Sequence, residues 1–190
     1  ADRFHASDVV FVGDRGMLKS AQVAELGEEG FHYVTAITKP EIESLIKEGV
    51  VQLDMFEDKL CEVVVDDVRY ILRRNPDRAA EIAASREDKF MSLSALVTKK
   101  NEYLAAHPRA SVEVAMRHVR AYAEKLRIDG WGLIEVDGRE IGIERDEAAL
   151  AQAARLDGCY TLKTDVSAGL ADAETVHARY KDLALVERAF

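Results

Sequence analysis

The stretch Val9-Val10-Phe11-Val12-Gly13-Asp14-Arg15-Gly16-Met17 decides the fold of this chain: four apolar residues in a row stop at a glycine and a carboxylate. A run that short, without alternation, reads as a strand covered on both faces. After Asp14, Leu18, Val23 and Leu26 recur at helical spacing, and the segment ends near Gly27–Gly30. Phe31 to Ile37 is a second buried strand. Strand, helix and strand joined by links of a few residues predict a parallel α/β core.

Beyond residue 37 the pattern changes. Pro40 opens a short helix to about Glu48, a position where its missing N–H has no partner to lose. Residues 60–65 and 68–73 read as a hairpin turning at Asp66-Asp67. Two helices are expected at roughly 77–104 and 110–127, broken at His107-Pro108. In the second, Val112, Met116, Val119, Ala123 and Leu126 form an apolar face that should pack on the first. A further hairpin, 131–136 with 139–144, turns at Asp137-Gly138, and a short helix spans 146–155. A strand at 158–163 and a helix from Asp172 onward close the chain. The expected class is therefore α/β, with a small core in 1–37 and 157–190 interrupted by an α+β insertion over 38–156. That insertion holds the hairpins and the long helical hairpin.

With 48% hydrophobic and 32% charged residues among 190, the composition is that of a globular chain and excludes a disordered one. No apolar run approaches the roughly 18 residues of a membrane span, so no membrane is expected. Cys61 and Cys159 form no C-x-x-C, which favours reduced thiols and a cytoplasmic location. The five histidines are scattered without metal-ligand spacing, and no glycine-rich phosphate loop, G-x-S-x-G elbow or Cys–His arrangement occurs.

A net charge of −9 opposes binding to a polyanion, but residues 69–127 hold 13 Lys and Arg against 7 Asp and Glu. Arg117, Arg120 and Arg127 fall on one side of their helix with Glu124 among them. They make either a solvated face with an Arg120–Glu124 pair or a set of contacts that position a DNA backbone. Trp131 is an aromatic anchor for the insertion, or a platform for a flipped base.

Asp14 has two readings. A carboxylate between strand and helix is a favoured helix cap. It is also placed where α/β sheets gather ligands, at the C-terminal edge of a buried strand. Glu187, taken alone, is a solvated helix residue. The order of blocks joins the two. Gly13-Asp14-Arg15-Gly16-Met17 after an apolar strand, then Lys19-Ser20-Ala21, the strand Phe31 to Ile37 and the segment Leu156 to Asp165 follow one another. Tyr180 and Glu187 then fall at the spacing of a Y-x2-R-x3-E-x6-K signature, with Leu183 at the Arg position. This succession resembles the DDE transposases of bacterial insertion sequences, from about residue 8 to the end.

The resemblance implies an RNase H-like core carrying metal-dependent DNA cleavage and strand transfer. Asp14 and Glu187 would be catalytic metal ligands for Mg²⁺ or Mn²⁺ in a two-metal site, and Tyr180 and Arg15 would contact DNA phosphate. DNA is the implied partner, and a homodimer is expected because a transposon has two ends. The chain is expected to be truncated at both ends, without the first catalytic Asp, and so inactive alone. The rival expectation is a catalytically dead relic that binds DNA or a partner without cleaving.

Overall fold

The computed structural model describes residues 9–15, 17, 18 and 20–187, with side chains except at Ser20 and 184–187. The chain divides into two compact units, Ala1–Pro76 with Gly158–Phe190, and Asp77–Asp157.

The first unit is a mixed α/β layer structure. Its strands are β1 (Val10–Gly13), β2 (His32–Ala36), β3 (Cys61–Val65), β4 (Val68–Arg74) and β7 (Cys159–Thr164), in the order β1-β2-β7-β4-β3. β1 and β2 run parallel, linked by helix α1 (Ser20–Glu28). The other three ladders are antiparallel, so the expected parallel core is confined to one strand pair. Helix α2 (Lys39–Lys47) carries Pro40 in its first turn and packs against β7. Helix α6 (Ala173–Glu187) packs against β1 and β2. It contributes Val176 to a cluster with Val34, Ala36, Ile71 and Leu162, with Val12, Tyr160 and Tyr180 at its margin.

The hairpin β3–β4 corrects the expected boundary of the insertion. Asp66 and Asp67 take positive φ (49° and 63°), the backbone of a two-residue turn matched to strand twist. β4 then pairs along its length with β7, which makes the hairpin part of the large sheet. Ile71 and Leu72 are consecutive and both fully buried, as a strand with neighbours on either face requires. The compact inserted unit accordingly begins at Asp77, not at 38.

The second unit holds α3 (Pro76–Ala106), α4 (Val112–Leu126), the hairpin β5 (Gly132–Asp137) with β6 (Glu140–Arg145), and α5 (Glu147–Ala154). Leu93, Val97 and Leu104 of α3 meet Ala115, Met116, Val119 and Ala123 of α4 in one core with Ile128, Trp131 and Ile141. The face expected on α4 is the one that packs. Ser111 caps α4 by accepting from the Val114 amide (3.4 Å). Asn101 does the work of a missing strand, giving its amide to the Ile141 carbonyl (2.8 Å) and accepting from the Ile141 N–H (2.9 Å). The Arg139 guanidinium donates to the carbonyls of Leu104, at the end of α3, and of His107 and Ala110 in the link that follows. Among the described residues no helix is long and apolar enough to cross a membrane.

Candidate functional site

Asp14 follows the last residue of β1 and accepts, on Oδ1, a 2.8 Å hydrogen bond from the Tyr180 hydroxyl. The two residues are 166 positions apart, so the closing helix is folded back onto the opening strand. Asp14 does not cap α1, which begins at Ser20. Its own carbonyl accepts from the Met17 amide (3.0 Å) and from the Thr35 hydroxyl (3.4 Å), which fixes the turn after β1.

Several contacts hold Tyr180 at that place. Asp172 accepts from the Thr175 amide (2.8 Å) at the start of α6, and the Thr175 hydroxyl, then that amide, keep the Asp172 carboxyl below its ordinary range. Arg69, only 3% exposed, grips Glu62 with two bonds of 2.8 Å and donates to the carbonyls of Val166 and Ala171 (2.7 Å each). That guanidinium pins the link between β7 and α6 to β4. Val176 and His177 then bury one side of the helix.

The electrostatics favour an ionised Asp14. The Arg15 amide, chiefly, and the Tyr180 hydroxyl hold its carboxyl below the usual carboxylate range, and the Arg15 charge adds to them against a desolvation that acts the other way. Arg15 itself is exposed in the turn beside it.

A second polar chain lies along the same helix and was not read from the sequence. The His177 ring stacks on Tyr160 (centroids 5.9 Å apart, 22° between planes), and Nε2 is hydrogen-bonded to the Tyr160 hydroxyl. Arg73 donates to the carbonyl (2.8 Å) and carboxylate (3.0 Å) of Asp58. In neutral His177, Nε2 accepts the phenol proton or donates to the phenol oxygen according to its tautomer. Burial, then the charges of Lys181 and Arg73, press the His177 pKa below its ordinary value, with Glu174 opposing. The available signal was the spacing: His177 lies three residues before Tyr180 and therefore on the same helix stripe.

Glu187 is the last residue of α6, and its side chain lies outside the described residues. Among the described residues, no three His, Cys, Asp or Glu side chains are grouped so as to hold a metal ion. Tyr180, expected against DNA phosphate, has its hydroxyl on Asp14.

Arg117 and Arg120 belong to the second unit. Both are exposed and line a cleft of about 630 Å³ with Met116, Glu124 and Val136. Among the described residues neither guanidinium has an ion-pair or hydrogen-bond partner, so the Arg120–Glu124 pair is not formed. Trp131 is 6% exposed and stacks on Phe90 at 5.8 Å, which makes it the anchor of that unit and leaves no face for a base.

No protein-family model matches the chain, and no curated protein or solved structure matches it either.

Proposed function

We propose that the chain is the catalytic region of a DDE transposase of the bacterial insertion-sequence kind, built on a partial RNase H-like core. The observation that carries this reading is the hydrogen bond between Asp14 and Tyr180. Asp14 and Tyr180, 166 positions apart, belong to the second and third blocks of the resemblance, and their bond supports reading the two blocks as one site.

An ionised aspartate held by a neutral donor is a suitable hard oxygen ligand for Mg²⁺, which is usually bound by one or two carboxylates together with phosphate and water. Asp14 and Glu187 would hold the ions. Position 187 follows Tyr180 by two helical turns, on the same stripe of α6. When bound, a pair of divalent ions would activate the attacking oxygen and stabilise the leaving one in phosphoryl transfer. Tyr180 has a positioning role here: its hydroxyl fixes one carboxylate oxygen and leaves the carboxylate oriented for the ion. Arg15, exposed beside Asp14, would meet the DNA phosphate, and Arg117 and Arg120 would meet the duplex backbone. The partner is DNA, with a second copy of the chain for the second transposon end.

A second reading, a relic that binds DNA without cleaving it, is favoured by the lack of a three-carboxylate group among the described residues. Both are tested by incubating the full-length protein, unaltered and with Asp14→Asn or Glu187→Gln, with end-labelled duplex DNA and Mg²⁺. Cleavage lost in both variants with DNA affinity retained supports the enzyme. Cleavage by Asp14→Asn at the wild-type rate overturns the assignment. Binding without cleavage by every protein selects the relic.

A further inference from the structure

We infer that the second unit carries a phosphodiester-binding cleft between the first half of α3 and the turn that follows α4. The inference extends the nucleic-acid reading to residues outside the Asp14 centre. Arg78, Ser85, Arg86 and Lys89 lie along one stripe of α3, and face Arg127 and Asp129 across a cleft of about 670 Å³.

The charges in this cleft are not equivalent. Arg78 is tied to Glu81 at 2.7 Å and Arg86 to the buried Asp157 at 2.8 Å, so both are largely neutralised in place. Lys89 and Arg127 have no ion-pair or hydrogen-bond partner among the described residues. Asp129 is the one lining carboxylate without an ion-pair partner among the described residues, so the cleft keeps an excess of positive charge with the Ser85 hydroxyl beside it.

Arg127 is informative for a second reason. It ends α4 in the left-handed conformation (φ 58°, ψ 45°), where the amides of Arg127 and Ile128 close the helix on Glu124 and Ala123. Glycine is the residue that this backbone favours, because it has no Cβ to crowd the following carbonyl. An arginine there keeps a long cation at the mouth of the cleft at the expense of backbone comfort.

The occupant follows from the spread of the unpaired cations. Lys89 on α3 and Arg127 after α4 line the same cleft from its two sides, with Arg78 and Arg86 also on the α3 side. One small anion would need the cation of only one side. Free cations on both sides of a cleft of this size fit a polyanion with regularly spaced charges, as a nucleic-acid strand has.

The test is fluorescence anisotropy of a labelled 20-nucleotide DNA, single-stranded and duplex, with the whole chain between 50 and 250 mM KCl. EDTA is present, so the outcome does not depend on the Asp14 centre. Lys89→Gln combined with Arg127→Gly should weaken binding roughly tenfold or more at 100 mM salt and reduce the salt slope by about 1.5, the share of two phosphate contacts. Arg127→Gly relieves the left-handed backbone, so a loss of binding cannot be assigned to misfolding; circular dichroism checks this. The DNA form that shows the larger change in slope identifies the strand type held. Affinity and slope equal to wild type overturn the inference. So does binding of poly-glutamate as tight as that of DNA at the same salt, which would assign the cleft to an acidic peptide.

Discussion

Replacing Tyr180 by Phe isolates the one contact that joins the ends of the chain. The ring keeps its place at the margin of the cluster around Val34, Ala36 and Leu162, and only the hydroxyl that reaches Asp14 at 2.8 Å is lost. A hydrogen bond to a charged group contributes about 1.5–3 kcal/mol when well shielded. Asp14 is half-buried, so solvent reduces this to about 1 kcal/mol. The melting temperature should fall by about 2–4 °C for a protein of this size. Far-UV circular dichroism is the suitable probe, because the single tryptophan, Trp131, lies in the other compact unit. A double-mutant cycle with Asp14→Ala should show a coupling of about 1 kcal/mol at pH 7. The sign with pH is fixed: a carboxyl held below its ordinary pKa contributes stability above that ordinary value and loses it as the pH falls through the lowered one. The coupling should therefore fade in acid. Additivity of the two substitutions within about 0.3 kcal/mol at pH 7 would refute the contact as the tie between α6 and β1.

Three further outcomes are expected. His177 has a lowered pKa, so the fold should be at full strength above the ordinary histidine value and weaken as the pH drops through that value toward the lowered one; His177→Gln should flatten urea-unfolding free energy between pH 7 and 5, and an unchanged profile would remove His177 as the cause. Arg69→Met should cost about 3 kcal/mol, since it strands Glu62 and the carbonyls of Val166 and Ala171, and a loss below about 1 kcal/mol in thermal unfolding would contradict the clamp. Asn101→Leu should cost about 2 kcal/mol by leaving both main-chain groups of Ile141 unpaired, read from Trp131 fluorescence, and a neutral result would show that water replaces the amide.

The elements were legible because their signals are local. Helical spacing from Val112 to Leu126 located the packed face of α4, and Asp137-Gly138 marked a hairpin turn that the structure contains. Strand partners were not legible in the same way. The segment 68–73 announces a strand, but nothing within it states that β7, almost ninety residues later, is its neighbour; the adjacent Ile71 and Leu72 were the one hint that both faces were covered. In the candidate site, Asp14 and Tyr180 were singled out separately, and their mutual bond was not anticipated, since a phenol that could meet phosphate can equally meet a carboxylate. Arg120 and Glu124 had ideal helical spacing and remain apart, as exposed pairs gain little by closing. His177 escaped notice because a buried neutral histidine differs from a surface one only through its neighbours, which come from β4 and β7.

The place where the chain leaves the large sheet and comes back has a kinetic consequence. Arg74 at the end of β4 pairs with Cys159 at the start of β7, and the Asn75 amide donates to the Gly158 carbonyl at 2.9 Å. From an unfolded chain, closing a loop of roughly eighty residues instead of a two-residue turn costs about 3 kcal/mol more in entropy. Segment 77–157 removes most of that cost if it folds first, since Arg86 draws Asp157 back onto α3 and so brings the two ends of the segment together. Pulse-labelled hydrogen exchange should then protect α3, α4 and the β5–β6 hairpin before β4 and β7, and simultaneous protection would exclude this order. Assembly of the central ladder would thus wait on a neighbour that lends it no strand, and a lesion deep in that neighbour would delay the sheet without touching a single one of its bonds.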